Sequence, residues 1–85
     1  MEKQEVGVIT HYFAKISVAV VKLSAPLNVG DRISIEGPST GAIEQPVESM
    51  QVQHKEIPSA SPGMEVGMKT LGKVHEHDKV FKVTP

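Results

Sequence analysis

Residues 26–37 read Pro-Leu-Asn-Val-Gly-Asp-Arg-Ile-Ser-Ile-Glu-Gly, and this stretch decides the fold. Gly30 can adopt a positive φ, and the side chain of Asp31 can accept hydrogen bonds from nearby backbone, so the pair predicts a tight turn. After the turn, Ile33 and Ile35 alternate with polar neighbours, which is the period of a strand with one buried face. The stretch therefore predicts a turn that leads directly into a strand.

Other short segments of alternating or β-branched residues lie on both sides of this turn. No segment carries apolar residues at helical spacing for three turns. Pro46 cannot donate to a ladder and predicts an edge or a bulge in its strand, and residues 38–41 have the composition of a flexible loop. The pattern predicts an all-β antiparallel barrel or sandwich of six strands, over residues 6–13, 16–23, 31–36, 42–53, 64–69 and 80–83.

Length and composition limit the possible classes of protein. Eighty-five residues predict a single domain over 1–85, with polar residues 1–5 as a frayed tail. The absence of cysteine excludes disulfides and thiolate metal sites and agrees with a cytoplasmic protein. No apolar run is long enough for a signal peptide or a membrane span.

The charge balance and the aromatic residues bear on possible ligands. Nine Lys and Arg against ten Asp and Glu give a formal net charge of −1, which argues against broad electrostatic binding to nucleic acid. Tyr12 and Phe13 are adjacent, so on a strand they face opposite sides. One of the two rings is predicted to be buried and the other to be a contact residue.

Three motifs in order resemble the second domain of translational GTPases of the elongation factor Tu type. They are Leu-Asn-Val-Gly-Asp-Arg-Ile at 27–33, Val-Glu-Ser-Met-Gln-Val-Gln-His-Lys-Glu-Ile at 47–57 followed by Ala-Ser-Pro-Gly-Met-Glu-Val-Gly at 60–67, and Asp-Lys-Val-Phe-Lys-Val at 78–83. Stand-alone barrels of this kind occur as prokaryotic translation elongation factor-like proteins, and a similar barrel ends the collagenase-like peptidases. The resemblance implies a small, closed, antiparallel six-stranded barrel.

The resemblance also implies a binding role in protein biosynthesis. No Gly-x-x-x-x-Gly-Lys-Ser/Thr motif is present, so a nucleotide site is not expected. In the carrier factors this barrel helps hold the aminoacyl end of tRNA through a Glu, and Gln51 stands at the aligned position. Lys15, Gln51, His54 and Lys55 are therefore the predicted contact patch for tRNA or ribosomal RNA. The alternative is a protein-interaction module that docks on a larger enzyme, or on a translation or RNA-modification factor, through an apolar patch or the loop 38–41.

Catalysis and metal binding find little support in the residues. His75 and His77 would face the same side of an extended chain, but a third ligand such as His54 or His11 would have to arrive by folding, so no metal site is predicted. The serines cluster in loops without a nucleophile elbow or a suitably spaced base. The sequence thus predicts a non-enzyme without cofactors, and it leaves the oligomeric state open.

Overall fold

A computed structural model of the chain describes residues 2–84, and these contain no helix. All of the regular structure is β. The strands are β1 (Glu2–Phe13), β2 (Val18–Leu23), β3 (Leu27–Asn28), β4 (Arg32–Gly37), β5 (Gly41–Pro46), β6 (Met50–Val52), β7 (Lys55–Ile57), β8 (Ser59–Ala60), β9 (Glu65–Lys69) and β10 (Lys79–Thr84).

Eight of the strands form one sheet in the order β5-β4-β10-β1-β2-β9-β6-β7, and β3 pairs with β8 in a second, two-stranded sheet. Every pairing is antiparallel. The long strand β1 is irregular at two places, between Glu5 and Gly7 against β10 and between Ile9 and His11 against β2. Such irregularities bend a strand and increase its twist, so they help the sheet to curl.

The sheet curls around a single hydrophobic core. Buried apolar side chains from the long central strands and the connecting loops belong to one cluster, which includes Ile9, Val21, Ile33, Val66 and Val80. A flat eight-stranded sheet would spread these side chains over a wide face, so one shared cluster requires curvature. The all-β, antiparallel prediction is confirmed.

A buried side chain joins the edge strand β5 to the far part of the sheet. Gln45 is 2% exposed. Its Nε2 donates to the Lys69 carbonyl at 2.9 Å, and its Oε1 accepts from the Leu71 N–H at 2.8 Å. Both ends of the amide are thus satisfied, and β5 is held beside the end of β9 by a side chain.

The predicted turn before β4 is confirmed and ties several loops together. Gly30 has a φ of 98°. The Asp31 carboxylate accepts from the Asn28 N–H at 2.9 Å. The Gly30 N–H donates to the Val47 carbonyl at 2.9 Å, and the Val47 N–H donates to the Asp31 carbonyl at 2.8 Å. The turn therefore sets the position of the chain that leaves β5 as well as the start of β4.

Several details differ from the sequence prediction. The structure has ten strands rather than six, and within residues 2–84 no ladder joins the edge strands β5 and β7 into a closed ring. The segment 42–53 forms two strands, because β5 pairs with β4 while β6 pairs with β7 and β9. Ile16 lies in the turn before β2, because the chain reverses through Ser17 with a φ of 55°.

The amino-terminal segment also differs from its prediction as a frayed tail. Residues 2–5 lie in β1 and pair with β10 from Phe81 to Thr84. The ammonium of Lys3 lies 2.5 Å from a carboxylate oxygen of Glu36, which adds a contact to β4. Met1 lies outside the described residues. Backbone pairing and an ion pair order this polar segment even though most of it is exposed.

Candidate docking surface

An apolar cavity opens where the β1–β2 turn meets the β6–β7 hairpin. Phe13 and Ile16 lie at this cavity and are 47% and 60% exposed. The cavity has a volume of about 340 Å³, and we call it the aromatic cavity; its lining consists of Phe13, Ile16, Val18, Val20, Gln51, Gln53, His54 and Gly67. Large apolar side chains beside a concave, partly polar surface are typical of sites that bind another molecule.

The β6–β7 hairpin has an unusual turn at this cavity. Val52 pairs with Lys55, which leaves Gln53 and His54 as a two-residue loop. Their φ angles are 51° and 66°, the pattern of a type I′ turn, which favours Asn and Gly. Left-handed conformations at other residues are sparsely populated and concentrate at binding sites. The hairpin therefore presents two polar side chains at an energetic cost to the backbone.

The aromatic cavity continues into two neighbouring cavities. A connecting cavity of about 160 Å³ shares Val18, Gln51 and Gly67 with it; its further lining residues are Ser49, Glu56, Met68 and Lys69. The third, which we call the acidic cavity, has about 330 Å³ and shares Ser49 and Glu56 with the connecting cavity. The three cavities therefore adjoin one another along β2, β9, β6 and β7, and we call them together the groove.

The acidic cavity combines apolar walls with carboxylates. Its lining consists of Val29, Glu48, Ser49, Met50, Glu56, Ile57 and Pro58. Val29 follows β3 in the turn that sets the register of β4, and it is 42% exposed. The groove thus changes along its length from aromatic and aliphatic at one end to acidic at the other.

The structure brings together part of the predicted contact patch. Gln51 and His54 both line the aromatic cavity. Lys15 and Lys55 are exposed but are not among its lining residues. One exposed and one buried aromatic ring were predicted, and the structure shows that Phe13 is the exposed one and that Tyr12 packs against the core. Sequence reasoning missed Ile16, Gln53 and Gly67, because the hairpin lacks the usual Asn-Gly signal and the longer turn moves Ile16 out of β2.

A second polar cluster lies where the turn between β4 and β5 meets the segment before β10. Its carboxylate is buried, and its hydrogen bonds are made within the protein. The Asp78 carboxylate, 3% exposed, accepts from the His75 N–H at 2.9 Å and from the Thr40 hydroxyl. Thr40 Oγ1 also lies 2.8 Å from His75 Nδ1, and because the hydroxyl proton points to Asp78, the imidazole must be the donor. We call this arrangement the Asp78 lock. It anchors Thr40, so the predicted flexible loop 38–41 is tied to the body of the protein.

The segment that contributes His75 and Asp78 to the lock also contains His77, and His75 and His77 are the pair with metal-ligand spacing. Residues 75–78 form a turn, with the Asp78 N–H donating to the His75 carbonyl at 3.2 Å, and His77 has a φ of 73°. The two imidazoles therefore do not project from an extended strand. Within residues 2–84, no three His, Asp or Glu side chains are grouped to hold a metal ion.

One carboxyl group has a perturbed ionisation. Hydrogen bonds from the Lys3 ammonium and the Ser34 hydroxyl lower the pKa of Glu36, and the Lys3 charge acts in the same direction. This carboxylate lies on β4, which is not one of the groove strands. Its ionisation therefore concerns stability rather than the groove.

Comparisons with known proteins identify relatives among proteases. The chain is 40% identical over 79 residues to an uncharacterized protease of Methanocaldococcus jannaschii, which covers 93% of this chain and 19% of the relative. It is 33% identical over 82 residues to a collagenase of Porphyromonas gingivalis, covering 95% of this chain and 23% of the relative. The chain thus spans about a fifth of the length of these curated relatives. No protein-family model matches it.

Solved structures show the same fold. The chain superimposes on the C-terminal domain of a Geobacillus thermoleovorans protein assigned to the U32 peptidases with a TM-score of 0.90, at 19% identity, covering 95% of this chain and 93% of the other. The selenomethionine variant of that domain gives a TM-score of 0.87. None of the described residues forms a helix that is long and apolar enough to cross a membrane.

These relatives correct the functional prediction. A translation factor-related module that binds tRNA or ribosomal RNA and acts in protein biosynthesis is wrong, because the related sequences are a protease and a collagenase and the matching fold belongs to a peptidase domain. The first of the three motifs that suggested translation factors encodes the turn at Gly30 and Asp31, which the backbone geometry requires whatever the ligand. Over almost its whole length, the chain is therefore similar to a segment of larger proteases, and it has the fold of the C-terminal domain of a U32 peptidase.

Proposed function

We propose that this chain is a non-catalytic docking module that binds the larger part of a peptidase of the kind its relatives represent. The observation that carries the proposal is the exposure of Phe13 and Ile16 beside the aromatic cavity. Aromatic side chains next to concave apolar surface are the usual anchors of protein interfaces. The matching segment makes up about a fifth of each relative, and the remaining four fifths of such a protease is the partner that we propose.

A binding role also fits the chemistry of the polar side chains. Among residues 2–84, the buried Asp78 is already occupied by the Thr40 hydroxyl and the His75 N–H. A nucleophile needs an adjacent base that is free to accept its proton and an accessible substrate site. The groove instead offers apolar area with hydrogen-bonding side chains at its edge, which suits a peptide or protein surface.

We assign the predicted contact residues to this protein interface. Gln51 and His54 line the aromatic cavity and would hydrogen-bond to the partner. Lys15 precedes Ile16 in the turn, and Lys55 follows His54 in the hairpin, so both would lie at the polar rim of the contact. Such rim charges affect association rates more than affinity.

We propose that residues 1–85 form one folding unit, and the cytoplasmic location stays a prediction.

We infer that the curled sheet behaves as a closed barrel in solution, with the Gln45 amide replacing a ladder between β5 and β9. Its two hydrogen bonds, to the Lys69 carbonyl and from the Leu71 N–H, support this inference. A closed arrangement would keep the groove strands in a constant relation, which lowers the entropic cost of binding.

The test is a titration of the ¹⁵N-labelled chain with the M. jannaschii protease from which the matching segment has been removed. We expect saturable amide shifts at Phe13, Ile16, Gln51 and Gly67. Phe13→Ser should weaken binding roughly tenfold or more, as the loss of an interface anchor does. Leu71→Ser is the matched control, because Leu71 is 70% exposed and lies outside the lining of all three cavities. Equal weakening by both variants, or the absence of binding, would contradict the proposal.

A further inference from the structure

We propose that the groove recognises an extended partner segment that places an apolar side chain in the aromatic cavity and a lysine or arginine side chain in the acidic cavity. This inference rests on the proposed docking function and names the chemistry of the partner. It follows from the composition of the acidic cavity, the unpaired state of its carboxylates and the continuity of the groove.

The acidic cavity matches the two parts of a long basic side chain. Val29, Met50, Ile57 and Pro58 provide apolar wall, and Glu48 and Glu56 provide negative charge. Lysine and arginine carry an aliphatic stem that packs on apolar surface and a cationic head that stays with carboxylates or water. A volume of about 330 Å³ accommodates such a side chain, whereas a purely apolar residue would gain no charge interaction with the two exposed carboxylates.

The carboxylates of this cavity differ from most other acids of the chain. Within residues 2–84, Glu48 and Glu56 have no ion pair or hydrogen bond, and no lysine or arginine lines the acidic cavity. Five other acidic residues do have a cationic or histidine partner, namely Glu5, Asp31, Glu36, Glu44 and Glu76. The groove is thus complementary in charge to a basic group supplied from outside.

The nearest lysine in sequence does not neutralise this pair. Lys55 is the neighbour of Glu56 on β7, but it is exposed and is not among the lining residues of the acidic cavity. Lys69 lines the connecting cavity but not the acidic one. Among the described residues that line the acidic cavity, the basic head of a partner side chain would therefore meet two carboxylates and no lysine or arginine.

The connecting cavity defines the path of the partner. It shares Val18, Gln51 and Gly67 with the aromatic cavity, and Ser49 and Glu56 with the acidic cavity. Gly67 presents backbone rather than a side chain at this junction, which leaves room for an extended strand to cross. One continuous segment can therefore fill both ends.

The experiment uses acetylated, amidated peptides that carry leucine and arginine separated by one to four Gly or Ser residues. Each has a matched peptide in which citrulline, which is neutral and nearly isosteric, replaces arginine. Amide shifts of the labelled chain measure binding. We expect one spacing to shift residues 48, 49 and 56 together with Phe13 and Gly67. Citrulline, or the double variant Glu48→Gln with Glu56→Gln, should weaken that binding roughly two- to fivefold.

Glu65→Gln is the matched charge control, because Glu65 is exposed on β9 and lies outside the groove lining. It should leave the affinity for the arginine peptide unchanged. Equal binding of arginine and citrulline peptides, or no shifts at residues 48 and 56 at any spacing, would overturn the inference. Shifts of these residues on raising the concentration of the chain alone would also overturn it, since a second copy would then be the occupant.

The failure of this inference is distinguishable from that of the proposed function. The truncated protease can bind this chain with an affinity that Phe13→Ser removes and that the double variant Glu48→Gln, Glu56→Gln leaves unchanged. In that case the docking function is supported, and the proposed lysine or arginine in the acidic cavity is wrong. If the arginine peptides bind as expected but the truncated protease does not, the recognition of an apolar and a basic side chain by the groove is supported, and the proposed peptidase partner is wrong.

Discussion

The Asp78 lock, which joins two loops, and the groove, which crosses four strands, treat polar groups in opposite ways. In the lock, the buried Asp78 carboxylate is surrounded by donors from Thr40 and His75. In the groove, Phe13 is half exposed and Glu48 and Glu56 have no partner among the described residues. Within residues 2–84, no buried side-chain nitrogen or oxygen lacks a hydrogen bond. The acidic groups of the groove are instead exposed, where water solvates them and a partner can reach them.

The largest expected effect comes from exchanging a glycine in each region for alanine. A Cβ at Gly37 would overlap the Asp78 carboxylate, whereas a Cβ at Gly67 would lie 3.4 Å from Val18 Cγ1, an ordinary contact. We expect Gly37→Ala to lower the free energy of unfolding by about 2 to 4 kcal/mol, through overpacking and lost hydrogen bonds. Gly67→Ala should change it by less than about 0.5 kcal/mol. Urea unfolding measures both. Equal destabilisation would mean that the lock is not rigid.

The second-largest effect on the free energy of unfolding is expected at Gln45, with Gln51 as the comparison. Gln45→Leu removes the amide that bridges β5 and β9 and leaves the Leu71 N–H and the Lys69 carbonyl without their partner. We expect a loss of about 1 to 3 kcal/mol in the free energy of unfolding. Gln51→Leu, on the exposed groove, should cost less than about 0.5 kcal/mol. If thermal melting ranks the two variants the other way, Gln45 does not hold the curled sheet together.

A smaller effect isolates the backbone from side-chain contacts. Gly30 has a φ of 98°, and a methyl group at its Cα would meet no atom within 4 Å apart from its chain neighbours, so Gly30→Ala tests the turn conformation alone. We expect destabilisation of about 1 to 2 kcal/mol, since side chains disfavour this region. Gly67→Ala serves again as the control, because Gly67 has no such φ. A melting temperature equal to that of the unsubstituted chain would show that the turn does not require glycine.

The smallest effect concerns pH. The pKa of Glu36 is lowered in the folded chain by Lys3 and Ser34, from an ordinary value of 4.5. Its contribution to stability is therefore fully present above that ordinary value and is lost as the pH falls through the folded pKa. Because this carboxylate is partly exposed, the effect is at most a few tenths of a kcal/mol. Urea midpoints at pH 3 and pH 7 should differ less in Glu36→Gln than in the unsubstituted chain.

A second variant identifies the cause of that pH effect. Lys3→Met should flatten the dependence in the same direction, and combining it with Glu36→Gln should add little. Additive effects would instead mean that the two side chains act independently. The contact between Lys3 and Glu36 would then not be what holds the amino-terminal part of β1 to β4.

Much of the fold could be predicted, because it depends on local patterns. The alternation at Ile33 and Ile35 and the glycine at position 30 specify a strand and its turn without reference to the remainder of the chain. The split of segment 42–53 into β5 and β6 could not be predicted in this way, because it depends on which distant strands each half pairs with. Strand pairing between distant residues leaves little trace in a single sequence.

The candidate site was predicted only in part, for a related reason. Alternation predicted that one of Tyr12 and Phe13 is exposed, and the structure shows that it is Phe13; motif alignment selected Gln51 and His54. Assigning these residues to RNA was wrong, since the aligned motifs describe the barrel and not its ligand. Ile16 and the acidic end of the groove became visible only when the turn and the hairpin were seen side by side.

By itself, the sequence determined the all-β class, the turn at Gly30 and the fact that Tyr12 and Phe13 face opposite sides, because each depends on the conformational preferences of a few adjacent residues. Only the tertiary structure decided that Asp78 is buried in a lock and that Glu48 and Glu56 share a cavity lined, among residues 2–84, by no lysine or arginine. Burial and charge pairing are properties of residues that are distant in sequence. They come into existence only when the sheet curls and brings those residues together.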